Sequence, residues 1–189
     1  MNALATSNPT TSPRRSDGAS NVTGTYGRIV AIASWPIVAW TSYVFLGSLP
    51  YKFTNHPDTQ HIFTTIGEWL GGFLGTGIGD AFARFGGYAV GSAELATTLV
   101  LLAPIALWLL GKALGRRIGP SRAMLHAIGG AIAALIMAGA VFFHLASPLG
   151  VVVLHQGQSD GGSLFFAAVS ILVLGTVLAI ANGRLVGRG

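Results

Sequence analysis

The sequence predicts an all-α integral membrane protein: a four-helix bundle with a short amphipathic helix in the first extracytoplasmic loop. Three observations predict it. Hydrophobic residues make up 51% of the 189 positions and charged residues only 9%, against about 25% charge in soluble domains, so too few charges are present to cover a globular surface. Four apolar stretches reach the roughly 20 residues that a spanning helix needs. Glycine occurs 27 times without a collagen repeat, as expected where spanning helices approach closely.

The domain organisation follows from these stretches. Residues 1–27 read as a polar, disordered tail, 28–185 as the four-span domain, and 186–189 as a short tail. The first span runs from about Ile29 to Leu49 and carries no charge. The second runs from about Phe85 to Leu110 and contains Glu94. The third covers Met124 to Leu145, with His126 and His144 near its ends, and the fourth covers Leu164 to Asn182. Pro36 and Pro104 lie inside spans and are expected to kink them.

The basic residues fix an orientation. Arg14, Arg15, Arg28, Lys112, Arg116, Arg117, Arg122, Arg184 and Arg188 fall on one side of the spans, and Lys52 and Arg84 on the other. Positive charge gathers on the cytoplasmic side, so both termini are expected there. Dispersed over short segments without an aromatic platform, these charges are no nucleic-acid surface. Arg14-Arg15 is not read as a cleaved export signal, because the apolar segment that follows has span length and no small-residue cleavage site.

Between the first two spans, Ile62, Phe63, Ile66, Trp69, Leu70 and Phe73 fall on one helical stripe. Asp58 reads as its N-cap and Gly71-Gly72 as its stop. Gly75, Gly77 and Gly79 then read as a flexible return. Ile62, Phe63, Ile66, Trp69 and Phe73 would form either a belt helix in the interface, anchored by Trp69, or a lid over a cavity. The belt is the plainer reading.

The chemistry is confined to few residues. Zero cysteine excludes thiolate metal sites, iron–sulfur clusters and disulfide chemistry, so any redox role needs a non-thiol group such as a quinone or haem b. No histidine pair has metal-ligand spacing, and no metal site is expected. Glu94 lies roughly 13 Å into the second span, where a carboxylate is costly and marks a candidate functional site. Gly87, Gly91, Glu94 and Thr98 share one face, which should pack on other helices. Lys52, at the end of the first span, is the expected partner of Glu94 or else attracts an anionic ligand. His144 falls in the same half and is a candidate proton carrier, while polar rings at the interface are the commoner use of His126 and His144. Gly130, Ala134 and Ala138 repeat at every fourth residue, as do Gly175, Ala179 and Gly183, and both rows are expected to be close-contact seams.

Gly47 to Phe53 with its lysine and phenylalanine, the Gly91-x-x-Glu94-Leu95 element, Pro104, and Phe143-His144 closing a small-residue span occur in the order of the DoxX-like family of four-span bacterial membrane proteins, which this chain resembles over about Arg28 to Leu185. The resemblance implies a four-helix bundle and a link to quinone-coupled oxidation within membrane oxidoreductase complexes. Carried over by motif, it points to Lys52 and Glu94. The expected function is therefore a quinone- or lipid-binding subunit with a Glu/Lys polar pocket. The alternatives are a non-catalytic assembly or accessory subunit, whose small-residue seams would meet a larger complex or a second copy, and a small proton-coupled transporter. The residues name no reaction.

Overall fold

The computed structural model describes residues 17–187. Helix α1 spans Asp17–Phe53, α2 Pro57–Leu74, α3 Thr76–Leu114, α4 Arg122–Ala146 and α5 Ser163–Val186. A two-residue ribbon, β1 (Leu154–His155) and β2 (Gln158–Ser159), pairs antiparallel between α4 and α5. Gln156 and Gly157 make its turn at φ 50° and 77°, the mirror-image turn that matches strand twist. Residues 1–16 of the expected tail lie outside the described residues. The rest of that segment is helical, because α1 starts at Asp17.

Four helical segments, Gly24–Phe53, Thr76–Leu114, Arg122–Ala146 and Ser163–Val186, are long and apolar enough to cross a membrane. The molecule is a four-span helical membrane bundle, with α2 as the additional short helix. Its outer surface is apolar: Ile32, Tyr43, Leu135 and Leu145 are all exposed, as lipid contact allows. Inside, Phe45, Ala133, Met137, Ala168 and Ile171 form one packed layer, and Val38, Leu101 and Leu178 form a second.

Glycine sets the helix spacing. A Cβ at Gly130 would stand 2.8 Å from the Gly175 carbonyl oxygen, and one at Gly175 would stand 2.9 Å from that of Gly130. The rows of the third and fourth spans therefore face each other as one α4–α5 seam. Gly183 is not part of it, having nothing within 4 Å of an added Cβ. Gly129 similarly admits Leu101 of α3. Pro36 and Pro104 sit within the continuous helices α1 and α3.

The segment from Gly71 to Gly79 departs from the sequence reading. Helix α2 continues to Leu74, Gly75 alone caps it at φ 95°, and α3 begins at once with Thr76. Gly71 and Gly79 are contact residues. Gly79 meets the Gly67 carbonyl, Gly67 meets Ala83, and Phe63 lies over Gly86, so α2 runs antiparallel along the first turns of α3. Close packing offsets the poor helix propensity of glycine. At 39 residues, α3 is about 58 Å long, nearly twice a hydrocarbon core of about 30 Å, and its excess length is what α2 packs against.

The N-cap of α2 is His56, whose Nδ1 accepts from the Asp58 N–H at 3.3 Å. Pro57, with no N–H to give, takes the first helical position and shifts the cap one residue before it. Phe63 and Ile66 are buried, and Ile66 packs with Leu149 and Val153 of the α4–α5 loop. Trp69 packs edge-on to Phe143 of α4 at 6.3 Å. Phe73 is 71% exposed: it lies one turn beyond this contact, with the Trp69 edge beside it at 5.0 Å.

Candidate functional site

Glu94 is brought to α1 by Gly91, one turn earlier on the same face of α3. A Cβ at Gly91 would press on Lys52 Cβ at 3.3 Å and Cδ at 3.4 Å. The missing side chain thus leaves a channel for the Lys52 stem, which lies across α3 and ends at the carboxylate. Lys52 Nζ donates to Glu94 Oε2 at 2.7 Å, with the two side chains 15% and 4% exposed. Ser48, one turn before Lys52, completes the cluster. Its Oγ accepts from Lys52 Nζ at 2.8 Å and donates to Glu94 Oε2 at 2.7 Å. The bonds from Lys52 and from Ser48 to the carboxylate both use Oε2, and the second carboxylate oxygen is left for another donor. The lysine is therefore already neutralised, as the pairing expectation had it.

The cluster faces a cavity of about 810 Å³. Val44, Gly47 and Tyr51 of α1, Ala89, Val90 and Ala93 of α3, and Leu135, Ile136, Met137, Gly139 and Ala140 of α4 contribute to its walls. Thr59, Ile62, Phe63 and Ile66 of α2 close one side. The short helix is thus a wall of a cavity, which the belt reading did not include. Exposed Ala89 and Leu135 also line it, so the cavity reaches the lipid-facing surface between α3 and α4.

His144 lines the same cavity and is 7% exposed. Its Nδ1 lies 2.6 Å from the Gly150 carbonyl. A carbonyl only accepts, so Nδ1 carries the proton and, in the neutral ring, Nε2 is the acceptor. The ring also packs edge-on to Phe165 at 5.6 Å. His126 is 0% exposed and sits at the opposite end of the bundle against Trp35. Neither histidine is an interface ring, because helix packing encloses both.

Two carboxylates at the cavity were not read from the sequence as site residues: Asp160 was passed over, and Asp58 reads there only as a helix cap. Asp160 Oδ1 accepts from the Val153 N–H at 2.8 Å and the Gly162 N–H at 2.9 Å, and Oδ2 from the Leu164 N–H at 3.1 Å. It shapes the α4–α5 loop and caps α5. Asp58 joins α2 to the ribbon: its Oδ1 lies 2.7 Å from His155 Nδ1, and its Oδ2 3.4 Å from His56 Nδ1. His61 stacks on His155 at 4.7 Å. The Asp-Gly-Gly turn before the fourth span was the available signal for Asp160. Nothing local marks Asp58, whose partner is 97 residues away.

Burial alone would raise the Asp160 carboxyl. The N–H groups of Gly162, Leu164 and Val153, with His144 nearby, instead hold it below the ordinary value of 3.8. A carboxyl depressed on folding contributes stability above its unfolded value, and that stability is lost as pH falls through the folded one. The loop between α4 and α5 is therefore expected to resist pepsin at about pH 5 and to be cut as pH falls below the ordinary carboxyl value of 3.8. Asp160→Ala should be cut at both. Equal resistance of the variant at pH 5 would refute this role.

Fold and site together define a four-span helical membrane protein with a buried ion pair facing a cavity. Compared with protein-family models, curated proteins and solved structures, the chain matches none.

Proposed function

We propose that this chain is a DoxX-like subunit of a bacterial cytoplasmic membrane, with both termini cytoplasmic, and that it binds a quinone-like or lipid-like amphiphile as part of an oxidoreductase complex. One observation carries the reading: a cavity of about 810 Å³ with mostly apolar walls has the Lys52–Glu94 pair among its few polar groups. The size is that of a small-molecule site, about 300–1,000 Å³, and a few placed polar groups in an apolar pocket fix a ligand's orientation. The orientation in the membrane is supported by the distribution of lysine and arginine.

The pair also favours one kind of head group. Lys52 is neutralised by Glu94, and the other charged residues lining the cavity, Asp58 and Asp160, are acidic. An anionic head group would meet net negative charge. A neutral group that donates to Glu94 or His144 Nε2, or accepts from Lys52, meets suitable partners. An assembly role would call on the small-residue seams, but Gly130 and Gly175 are already occupied by each other inside the bundle.

The test is saturable quenching of tryptophan fluorescence by a short-chain quinone in mild detergent, with native mass spectrometry to identify whatever amphiphile co-purifies. Glu94→Gln removes the charge-assisted bond with Lys52 and is expected to weaken binding about tenfold, roughly 1.4 kcal/mol. Binding by Glu94→Gln equal to wild type would overturn the assignment of the pair to the ligand.

A further inference from the structure

We propose a second site, at the end of the bundle opposite the cavity, in which Arg122 holds the phosphate of an anionic phospholipid. Arg122 opens α4 and is half-buried, while Arg28, Lys112, Arg116, Arg117 and Arg184 at the same end are exposed. What holds it is built with care. Arg122 Nη1 donates to Asn182 Oδ1 at 3.2 Å and lies 3.2 Å from His126 Nδ1. Arginine cannot accept, so this imidazole nitrogen is the acceptor and the ring is neutral. Asn182 is 0% exposed, and its Nδ2 donates to Ser34 Oγ and to the Leu178 carbonyl, each at 3.0 Å. That fixes its amide with the oxygen towards Arg122. The edge of Trp35 holds His126 from the other side at 5.0 Å.

The guanidinium is therefore oriented by three helices yet, among the described residues, meets only neutral acceptors. Among the described residues, the Lys52–Glu94 ion pair and the contacts of Asp58 with His56 and His155 all lie at the other end. The Nε and Nη2 groups of Arg122 have no protein partner among the described residues. Among the described residues this partly buried cation has no counter-ion, which is costly, and a guanidinium's planar fork matches a phosphate in two parallel bonds. Free phosphate and a lipid phosphate share that chemistry. The lipid is favoured because Arg122 opens a spanning helix, at the level where basic pockets between helices take anionic head groups.

Native mass spectrometry of the full chain in mild detergent tests this, with phosphatidylglycerol, phosphatidylcholine or inorganic phosphate added. One phosphatidylglycerol is expected to bind at least about fivefold tighter than phosphatidylcholine. Arg122→Gln should remove that preference and Arg116→Gln should keep it within about twofold. If Arg122→Gln does not fold, Arg122→Lys carries the test: it keeps the charge, loses the fork, and should bind measurably more weakly than wild type. Three results would overturn the proposal: equal binding of both lipids, an Arg116→Gln loss as large as that of Arg122→Gln, or displacement of the lipid by millimolar inorganic phosphate.

Discussion

Glu94→Leu is expected to destabilise the protein by about 3 kcal/mol, measured by reversible unfolding in mixed micelles containing a denaturing detergent. The figure is the lower end of what is lost when one partner of a buried ion pair is removed. The lower end applies because Lys52, at 15% exposure, can draw its ammonium towards the surface, whereas Glu94 at 4% cannot move. The loss arises from the charge left behind rather than from the bond itself. Lys52→Met combined with Glu94→Leu is therefore expected to recover to within about 1 kcal/mol of wild type, since replacing both partners by apolar groups is often neutral. The double variant should nevertheless fail to bind the amphiphile proposed for the cavity, which separates stability from function. A single variant within about 1 kcal/mol of wild type would show that the pair is not held as described.

The second large effect is expected at the α4–α5 seam. Gly130→Val places a branched side chain where even a Cβ would be 2.8 Å from the Gly175 carbonyl and 2.9 Å from the Ala179 nitrogen. Both neighbours are backbone and cannot rotate away, so the helices must separate. Overpacking costs about 1–3 kcal/mol where side chains can adjust, and about 3 kcal/mol or more is expected here. Gly139→Ala and Gly183→Ala are the controls. Nothing lies within 4 Å of an added Cβ at either position, and the gain in helix propensity should leave them neutral or slightly more stable. The same unfolding assay decides. A Gly130→Val protein as stable as these controls would place the seam elsewhere.

The spans were legible because hydropathy over 20 or so residues is a strong signal and lipid permits few alternatives. The ion pair was legible because Glu94 shares a face with Gly91, and Lys52 closes the neighbouring span. Ser48 was within reach of the same reading: it is four residues before Lys52, hence on the same side of α1. The Gly71–Gly79 segment misled, since glycine in a loop and glycine at a helix contact look alike in one sequence, and only the position of α2 against α3 distinguishes them. Asp160 was hidden for another reason. Its partners are backbone N–H groups, which every residue carries, so no side-chain pattern announces them. Arg122 was counted among the orienting charges, and only its contacts with Asn182 and His126 set it apart.

Helix α2 is joined to α3 through Gly75 alone and locked along it by glycine contacts. It cannot swing aside as a hinged flap would. Traffic to and from the cavity is left the gap between α3 and α4, where Ala89 and Leu135 face the hydrocarbon. For the amphiphile proposed above, the bilayer would then be the solvent from which it partitions. Its occupancy would follow its mole fraction among the lipids rather than its concentration in water.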